Sequence, residues 1–231
     1  DVEYYASENS LGGDIVHFDT ENSFYSISAR NKIEIKFKDE LMIRNLFDYS
    51  HCEVSSFDRK SLGGYENQRE NVLSPSTLSL ERHRLLWLYL KNETDFFTTK
   101  KKVLHMAPEQ CFIDRFKAQK NLDYLTADLV SPIADLHFDL HQIPLENERF
   151  DVVFCNHVME HVDDPKQCMS ELFRVLKPGG WAIMQVPQDF NREHTYEDPS
   201  ITSPAEREKH FWQKDHVRLF GKDYPSYPEA V

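Results

Sequence analysis

Glycine is scarce in this chain: there are 7 among 231 residues, and none between Gly64 and Gly179. A glycine-rich phosphate cradle in the middle of the sequence is therefore excluded. Four cysteines, Cys52, Cys111, Cys155 and Cys168, are too few and too scattered for a disulfide framework. That points to a reducing, cytoplasmic setting. No apolar run approaches the roughly 20 residues a membrane helix needs. The start, Asp1-Val2-Glu3-Tyr4-Tyr5, has neither the basic nor the apolar region of a secretory signal. Basic residues are in deficit, and the formal net charge is −12. So acidic a surface repels phosphate backbones, so the expected partners include neither nucleic acid nor membrane.

What is present suits a folded protein. Hydrophobic residues make up 40% and aromatic residues 13%, enough for a substantial core. Residues 1–50 are polar and aromatic, and Asn31–Lys38 alternates as a half-buried strand would. Residues 51–78 are rich in breakers, with Gly63-Gly64 and Ser74-Pro75-Ser76-Thr77. This sets a division into an N-terminal extension, 1–78, and a main domain, 79–231.

From Ser79 the texture changes. Leu80 to Tyr89 predicts a helix with Ser79 as its N-cap. Helices and strands then alternate: strands over Lys102–Ala107, Asp123–Ala127, Leu136–Phe138, Phe150–Cys155 and Trp181–Val186, and helices over Gln110–Lys117 and Pro165–Leu176. Lys177-Pro178-Gly179-Gly180 stops the last helix. Glu206 to Arg218 reads as a further amphipathic helix. The alternation predicts an α/β fold, a mostly parallel sheet with helices on both faces. Ligands of such sheets bind at the carboxyl ends of the strands.

Those ends carry polar residues. His105-Met106-Ala107-Pro108-Glu109 stands where dinucleotide-type folds place glycines. Asp128 follows His105 by 23 residues, close to the distance at which an acidic side chain accepts from a ribose diol. Asp139 ends the next strand, and Asn156-His157 follows the one after. The plain alternative is that Asp128 and Asp139 cap their own loops.

At these residues the chain resembles a family. Asp139-Leu140-His141-Gln142-Ile143-Pro144 through Phe150-Asp151-Val152-Val153, the turn Val158-Met159-Glu160-His161-Val162, and Glu171-Leu172-Phe173-Arg174-Val175-Leu176-Lys177-Pro178-Gly179-Gly180 are similar to the motifs of class I S-adenosylmethionine-dependent methyltransferases of type 11. The resemblance covers roughly residues 102–187 and implies a Rossmann-like fold with S-adenosylmethionine as cofactor. Position by position it implies that His105, Met106, Ala107, Pro108 and Glu109 lie at the methionine and ribose end. It gives Asp128 and Leu129 to the ribose side, Asp139 and Leu140 to the adenine, and Asn156 to the methionine. The form Val103-Leu104-His105-Met106-Ala107-Pro108-Glu109 also resembles a bacterial subgroup with Ala-Pro-Glu in place of the glycines, so the loop is read as a variant.

In that subgroup a four-cysteine zinc ribbon precedes a helix like Arg82-His83-Arg84-Leu85-Leu86-Trp87. Here the ribbon positions are Cys52, Ser55, Ser74 and Thr77, with 18 residues between the pairs. Hydroxyls are poor zinc ligands near neutral pH, so the ribbon is degenerate and no metal is expected. His137, Asp139 and His141 share a strand face, which a solvated edge explains as well. His157-Val158-Met159-Glu160-His161 matches H-x-x-E-H, which on a long helix would bind zinc as in a hydrolase. Asp163-Asp164-Pro165 follows at once and cuts such a helix short.

The expected function is methyl transfer to a small-molecule acceptor. His157 and His216 are the expected catalytic bases, because imidazole titrates near neutral pH. In the resembling subgroup a stretch similar to Asp215-His216-Val217-Arg218 follows the fifth strand, which implies Asp215, His216 and Arg218 as candidates for holding an acidic or hydroxyl-bearing acceptor. The alternatives are a non-catalytic binding protein of the same fold and a zinc hydrolase. Oligomeric state is not fixed by the sequence.

Overall fold

The computed structural model describes Ser74 and residues 76–228, with the backbone of six short strand segments between Tyr4 and Ile35. Cys52, Ser55 and the 51–73 loop lie outside the described residues. The main elements are α1 (Glu81–Asn92), β1 (Lys101–Met106), α2 (Gln110–Lys117), β2 (Leu122–Asp128), β3 (Leu136–His137), β4 (Phe150–Cys155), α3 (Pro165–Val175) and β5 (Leu176–Ile183). After them come β6 (Tyr196–Glu197), α4 (Pro204–Phe211), β7 (Arg218–Leu219) and a 3-10 turn over Tyr224–Ser226.

The central strands lie in the order β3-β2-β1-β4-β5, all parallel. The chain winds outward from β1 to β3, then crosses back to β4 on the other side of β1. The order reverses between β1 and β4, and a crevice opens at such a switch point. Beyond β5 the sheet gains two segments from upstream: Phe24–Ser26 runs parallel to β5, and His17–Phe18 runs antiparallel to it. This is a Rossmann-like sheet. Within the same upstream region Ile33–Ile35, inside the expected 31–38 strand, pairs antiparallel with Tyr4–Ala6.

Period-2 alternation sorts the strand residues into two cores. Leu104, Val153, Cys155 and Ala182 face the core that α3 covers with Cys168, Met169, Leu172 and Val175. Val103, Val152, Phe154 and Ile183 face the other, which α1 and α2 cover with Leu86, Leu90, Phe112 and Phe116. The second core is an aromatic nest: Phe96, Phe116 and Phe154 are all fully buried, with ring centroids 5.1–5.8 Å apart. Truncating any of these rings would cost about 3–5 kcal/mol.

Three local expectations need correction. Leu80, not Ser79, is the N-cap of α1, and its N–H donates to Nδ1 of His83 at 3.0 Å. The Ser79 hydroxyl instead pairs with Thr77 at 2.7 Å. The last strand begins at Leu176 rather than Trp181, because Leu176 turns straight to extended backbone at the end of α3. Its first pairing, Leu176 with Phe150, is followed by Trp181 with Val152, so the intervening residues bulge. Gly179 carries the bulge at φ +77°. A side chain on Gly180 would meet the Lys177 and Asp151 carbonyls at 2.9 and 3.0 Å. The C-terminal helix stops at Phe211, where Trp212 turns left-handed at φ 72°, and it does not reach Arg218.

Candidate functional site

At the carboxyl ends of the strands lies a cavity of about 340 Å³. That is within the range of small-molecule sites. Met106 and Ala107 after β1, Asp128 and Leu129 after β2, and Phe138, Asp139, Leu140 and His141 after β3 form part of its wall. Val158, His161, Val162 and Asp163, from the turn after β4, complete it.

The loop after β1 has no glycine, yet its backbone behaves as if it had one. Ala107 sits at φ 47°, in the left-handed region that disfavours a side chain. Its N–H donates to the Ala127 carbonyl at 2.8 Å, which holds the loop against β2. The small methyl is what makes the conformation bearable here.

Behind this loop is a closed polar network. His105 is fully buried; its Nδ1 lies 2.8 Å from the Tyr124 hydroxyl, and its Nε2 lies 2.5 Å from Glu109 Oε2. Asn156 donates from Nδ2 to Glu109 Oε1 at 3.1 Å and accepts from the Gln185 N–H at 3.2 Å. Burial pushes the Glu109 carboxyl up, but the charge and hydrogen bond of His105, with His83 and Arg82 nearby, outweigh it and hold the carboxyl below its usual range. His83 itself is pushed down to about 3, chiefly by burial and next by the charge of Arg82. Of the residues expected at a cofactor, Met106, Ala107, Asp128, Leu129, Asp139 and Leu140 line the cavity. His105, Pro108, Glu109 and Asn156 stand beside and behind it.

Asp128 serves two ends. Its Oδ1 accepts from the N–H groups of Val130 and Ser131 at 2.8 and 2.7 Å, so it does cap its loop. Those bonds fix the side chain at the cavity rim and leave Oδ2 for a ligand. Asp139 accepts on Oδ1 from the His141 N–H at 2.9 Å, with His141 Nδ1 at 2.6 Å. These two bonds, the backbone one first, hold its carboxyl below the usual range.

The two histidines expected as bases are not among the cavity-lining residues. His157 is half-buried, at φ 55°, with Nδ1 3.3 Å from Glu160 Oε1. His216 is 4% exposed, its Nδ1 2.9 Å from the Phe211 carbonyl, and burial pushes its pKa down. The histidines that do line the cavity are His141 and His161. Their position, within two residues of an expected strand end or inside the turn after β4, was the only available signal.

Arg218 does not hold an acceptor. It is 3% exposed, and its guanidinium donates to the carbonyls of Met159 at 2.6 Å, of Asp163 at 3.0 Å and of Val162, and to the carboxylate of Glu197. Each of its three nitrogens bonds protein, so it clamps the turn that walls the cavity. Asp215 is exposed beside His161, 3.5 Å from its ring. The 157–162 segment forms turns rather than a helix, so H-x-x-E-H lacks the helical spacing of a zinc hydrolase.

The conserved-looking run from Glu171 to Gly180 is scaffolding. Arg174 bonds Glu171 at 2.7 Å and the carbonyls of Ile143 and Leu145 at 2.8 and 2.9 Å. Lys177 reaches Asp151 at 2.7 Å.

Residues 94–184 match the family model of a methyltransferase domain. A protein of Streptomyces fradiae described only as a 37.1 kDa protein in transposon TN4556 is 43% identical over 49 residues, 21% of this chain and 14% of that protein. A Mycolicibacterium smegmatis protein named "Probable S-adenosylmethionine-dependent methyltransferase" is 43% identical over 51 residues, 22% of this chain and 20% of its own. The chain thus spans about a fifth or less of the length of these relatives. Among solved structures it is similar to the YcgJ protein of Bacillus subtilis, with TM-score 0.42 and 16% identity over 64% of this chain and 67% of that one.

Proposed function

We propose that this chain, whose residues 94–184 match the family model of a methyltransferase domain, transfers a methyl group from S-adenosylmethionine to a small-molecule acceptor. The observation that carries the reading is the cavity at the switch point, with Asp128 and Asp139 at the ends of successive strands and an apolar wall between them. Its size and donor set fit the cofactor. Asp128 accepts from the ribose hydroxyls through Oδ2 while Oδ1 keeps its loop. Asp139 and Leu140 receive the adenine, the one by hydrogen bonding and the other by apolar contact. Met106 and Ala107 face the part of the ligand nearest β1.

The bound cofactor supplies an activated methyl group on a sulfonium. The chain's own contribution is to position two reactants and to keep water out. His105, Glu109 and Asn156 hold the loop after β1 rigid from behind. A small acceptor suits the net charge of −12, which disfavours polyanions. Main domain 79–231 is the unit that carries this activity.

The test is calorimetric titration with S-adenosylhomocysteine, comparing wild type with Asp128→Asn. The amide oxygen keeps the loop cap, while the amide nitrogen can no longer accept from a ribose hydroxyl. A hydrogen bond to a charged group is worth roughly 1.5–3 kcal/mol, so affinity should fall at least about tenfold. No binding to wild type at millimolar ligand would overturn the reading. Equal affinity in the variant would remove Asp128 from the site.

A further inference from the structure

A second cluster lies against the cavity, and the methyl-transfer reading makes no use of it. Glu160, His161 and His216 bring one ligand atom each to within 4.8 Å of one another, and among the described residues no other group of three does so. Glu160 is 1% exposed. Its Oε1 faces His157 at 3.3 Å, while its Oε2 is buried with no hydrogen-bond partner. A buried carboxylate oxygen without a donor is costly, and native structures rarely leave one so unless something binds there.

The two imidazoles add further acceptors, not donors, beside that oxygen. Nδ1 of His216 lies 2.9 Å from the Phe211 carbonyl, and Nδ1 of His161 lies 3.3 Å from the Asp215 carbonyl. A carbonyl can only accept, so each Nδ1 carries the proton and each Nε2 presents a lone pair. Hydrogen bonding of the outer ring nitrogen to a backbone carbonyl is how metal-bound histidines are commonly oriented. The rings meet edge to face, with centroids 4.7 Å apart and planes at 82°. The C-terminal segment is tied to this turn by the Val217 N–H on the Glu160 carbonyl at 2.9 Å, so His216 is held in place.

We propose that Glu160, His161 and His216 form a binding site for a divalent transition-metal ion of the zinc type. Two neutral imidazoles and one carboxylate are the donor set of such ions, whereas magnesium and calcium prefer oxygen alone. Three protein ligands leave a coordination position open. Ligand atoms around such an ion stand ~3.3 Å apart, so modest rotation of the half-exposed His161 closes the set. His161 also lines the cavity, which puts the ion in contact with whatever the cavity holds. An ion of charge two on one carboxylate leaves a net positive centre, suited to an acceptor oxygen. The proposal departs from the sequence-based expectation of no metal, which concerned the ribbon remnant and the helical H-x-x-E-H reading. It does not depend on the methyl-transfer reading.

The experiment is calorimetric titration of chelator-treated, dialysed protein with Zn²⁺ alone, with elemental analysis of the gel-filtered product. One ion per chain is expected in the wild type. His161→Ala and Glu160→Gln should each weaken Zn²⁺ binding at least tenfold, with far-ultraviolet circular dichroism unchanged. His161 is partly exposed, so its variant keeps the test open if Glu160→Gln does not fold. Absence of Zn²⁺ binding by the wild type overturns the proposal, as does binding that His161→Ala leaves intact. A parallel S-adenosylhomocysteine titration in chelator separates the two readings: its success without Zn²⁺ binding refutes the metal site alone, and its failure alongside Zn²⁺ binding refutes the cofactor reading alone.

Discussion

Two glutamates stand beside the cavity, Glu160 fully buried and Glu109 partly so, and they are built in opposite ways. Glu109, behind the loop after β1, has both oxygens engaged, one by His105 and one by Asn156. Glu160, in the turn after β4, has one oxygen facing His157 and the other without a hydrogen-bond donor among the described residues. In both, burial raises the carboxyl's pKa, and neighbouring histidines overcome that to hold it below the usual range. The first arrangement is complete without a ligand, as a structural network should be. The second is incomplete, as a binding site should be before it is filled. Burial alone therefore does not fix purpose; the count of satisfied oxygens separates them.

Removing each carboxylate should break this comparison most sharply. Glu109→Ala strands the His105 ring and the Asn156 amide in a dry interior, and loss of one partner of a buried pair costs about 3–5 kcal/mol. Glu160→Ala removes the His157 contact and the attraction of His161 and His216 but relieves an unsatisfied oxygen, so its cost should be about 1–2 kcal/mol. Urea denaturation of the two variants measures both, and equal losses would erase the distinction.

Acid should act next. The folded-state pKa of His83, about 3, lies below its ordinary value of 6.5. Its contribution to stability is therefore complete above pH 6.5 and is lost as the pH falls from there toward 3. One proton taken up on unfolding gives a slope of at most about 1.4 kcal/mol per pH unit. The depressed carboxyls of Glu109 and Glu160 add losses in the same direction below their ordinary range. Denaturation midpoints from pH 7 to 4.5 should fall for wild type and fall less steeply for His83→Gln. Parallel slopes would show that His83 is not the source.

Ala107→Gly should have the smallest effect. The left-handed backbone costs alanine roughly 1–2 kcal/mol, and glycine's extra freedom in the unfolded chain returns roughly 0.5–1 kcal/mol. Stability should shift by less than about 1 kcal/mol, with S-adenosylhomocysteine affinity kept. A large loss in either would mean that the methyl group itself matters at the cavity wall.

Much of this was legible in the residues. The strand at Phe150–Cys155 was readable as a β-rich apolar run buried on both faces, and the helix at Gln110–Lys117 from its place in the alternation, and the structure has them at those bounds. Where the expectations failed, a single residue's backbone decided the outcome. Leu176 passed from helix to strand without a loop, and Trp212 ended α4 early by turning left-handed. Neither choice leaves a pattern in composition. For the site, strand-end positions pointed to Asp128 and Asp139, since topology alone puts such residues at the crevice. The satisfaction of Arg218 and the vacant oxygen of Glu160 could not be read, because both depend on which carbonyls a distant segment brings near. The most recognisable motif, Glu171 to Gly180, is also the one furthest from chemistry.

The Arg218 clamp has a consequence for when the cavity comes into being. Four of the residues that wall it lie between Val158 and Asp163, and three carbonyls of that stretch are tied down from a position more than fifty residues later. A nascent chain halted after β5 would hold the finished sheet but leave that wall loose. Completion of that wall is thus deferred until residue 218 has emerged and folded back, so a truncated product carries the sheet without the finished cavity.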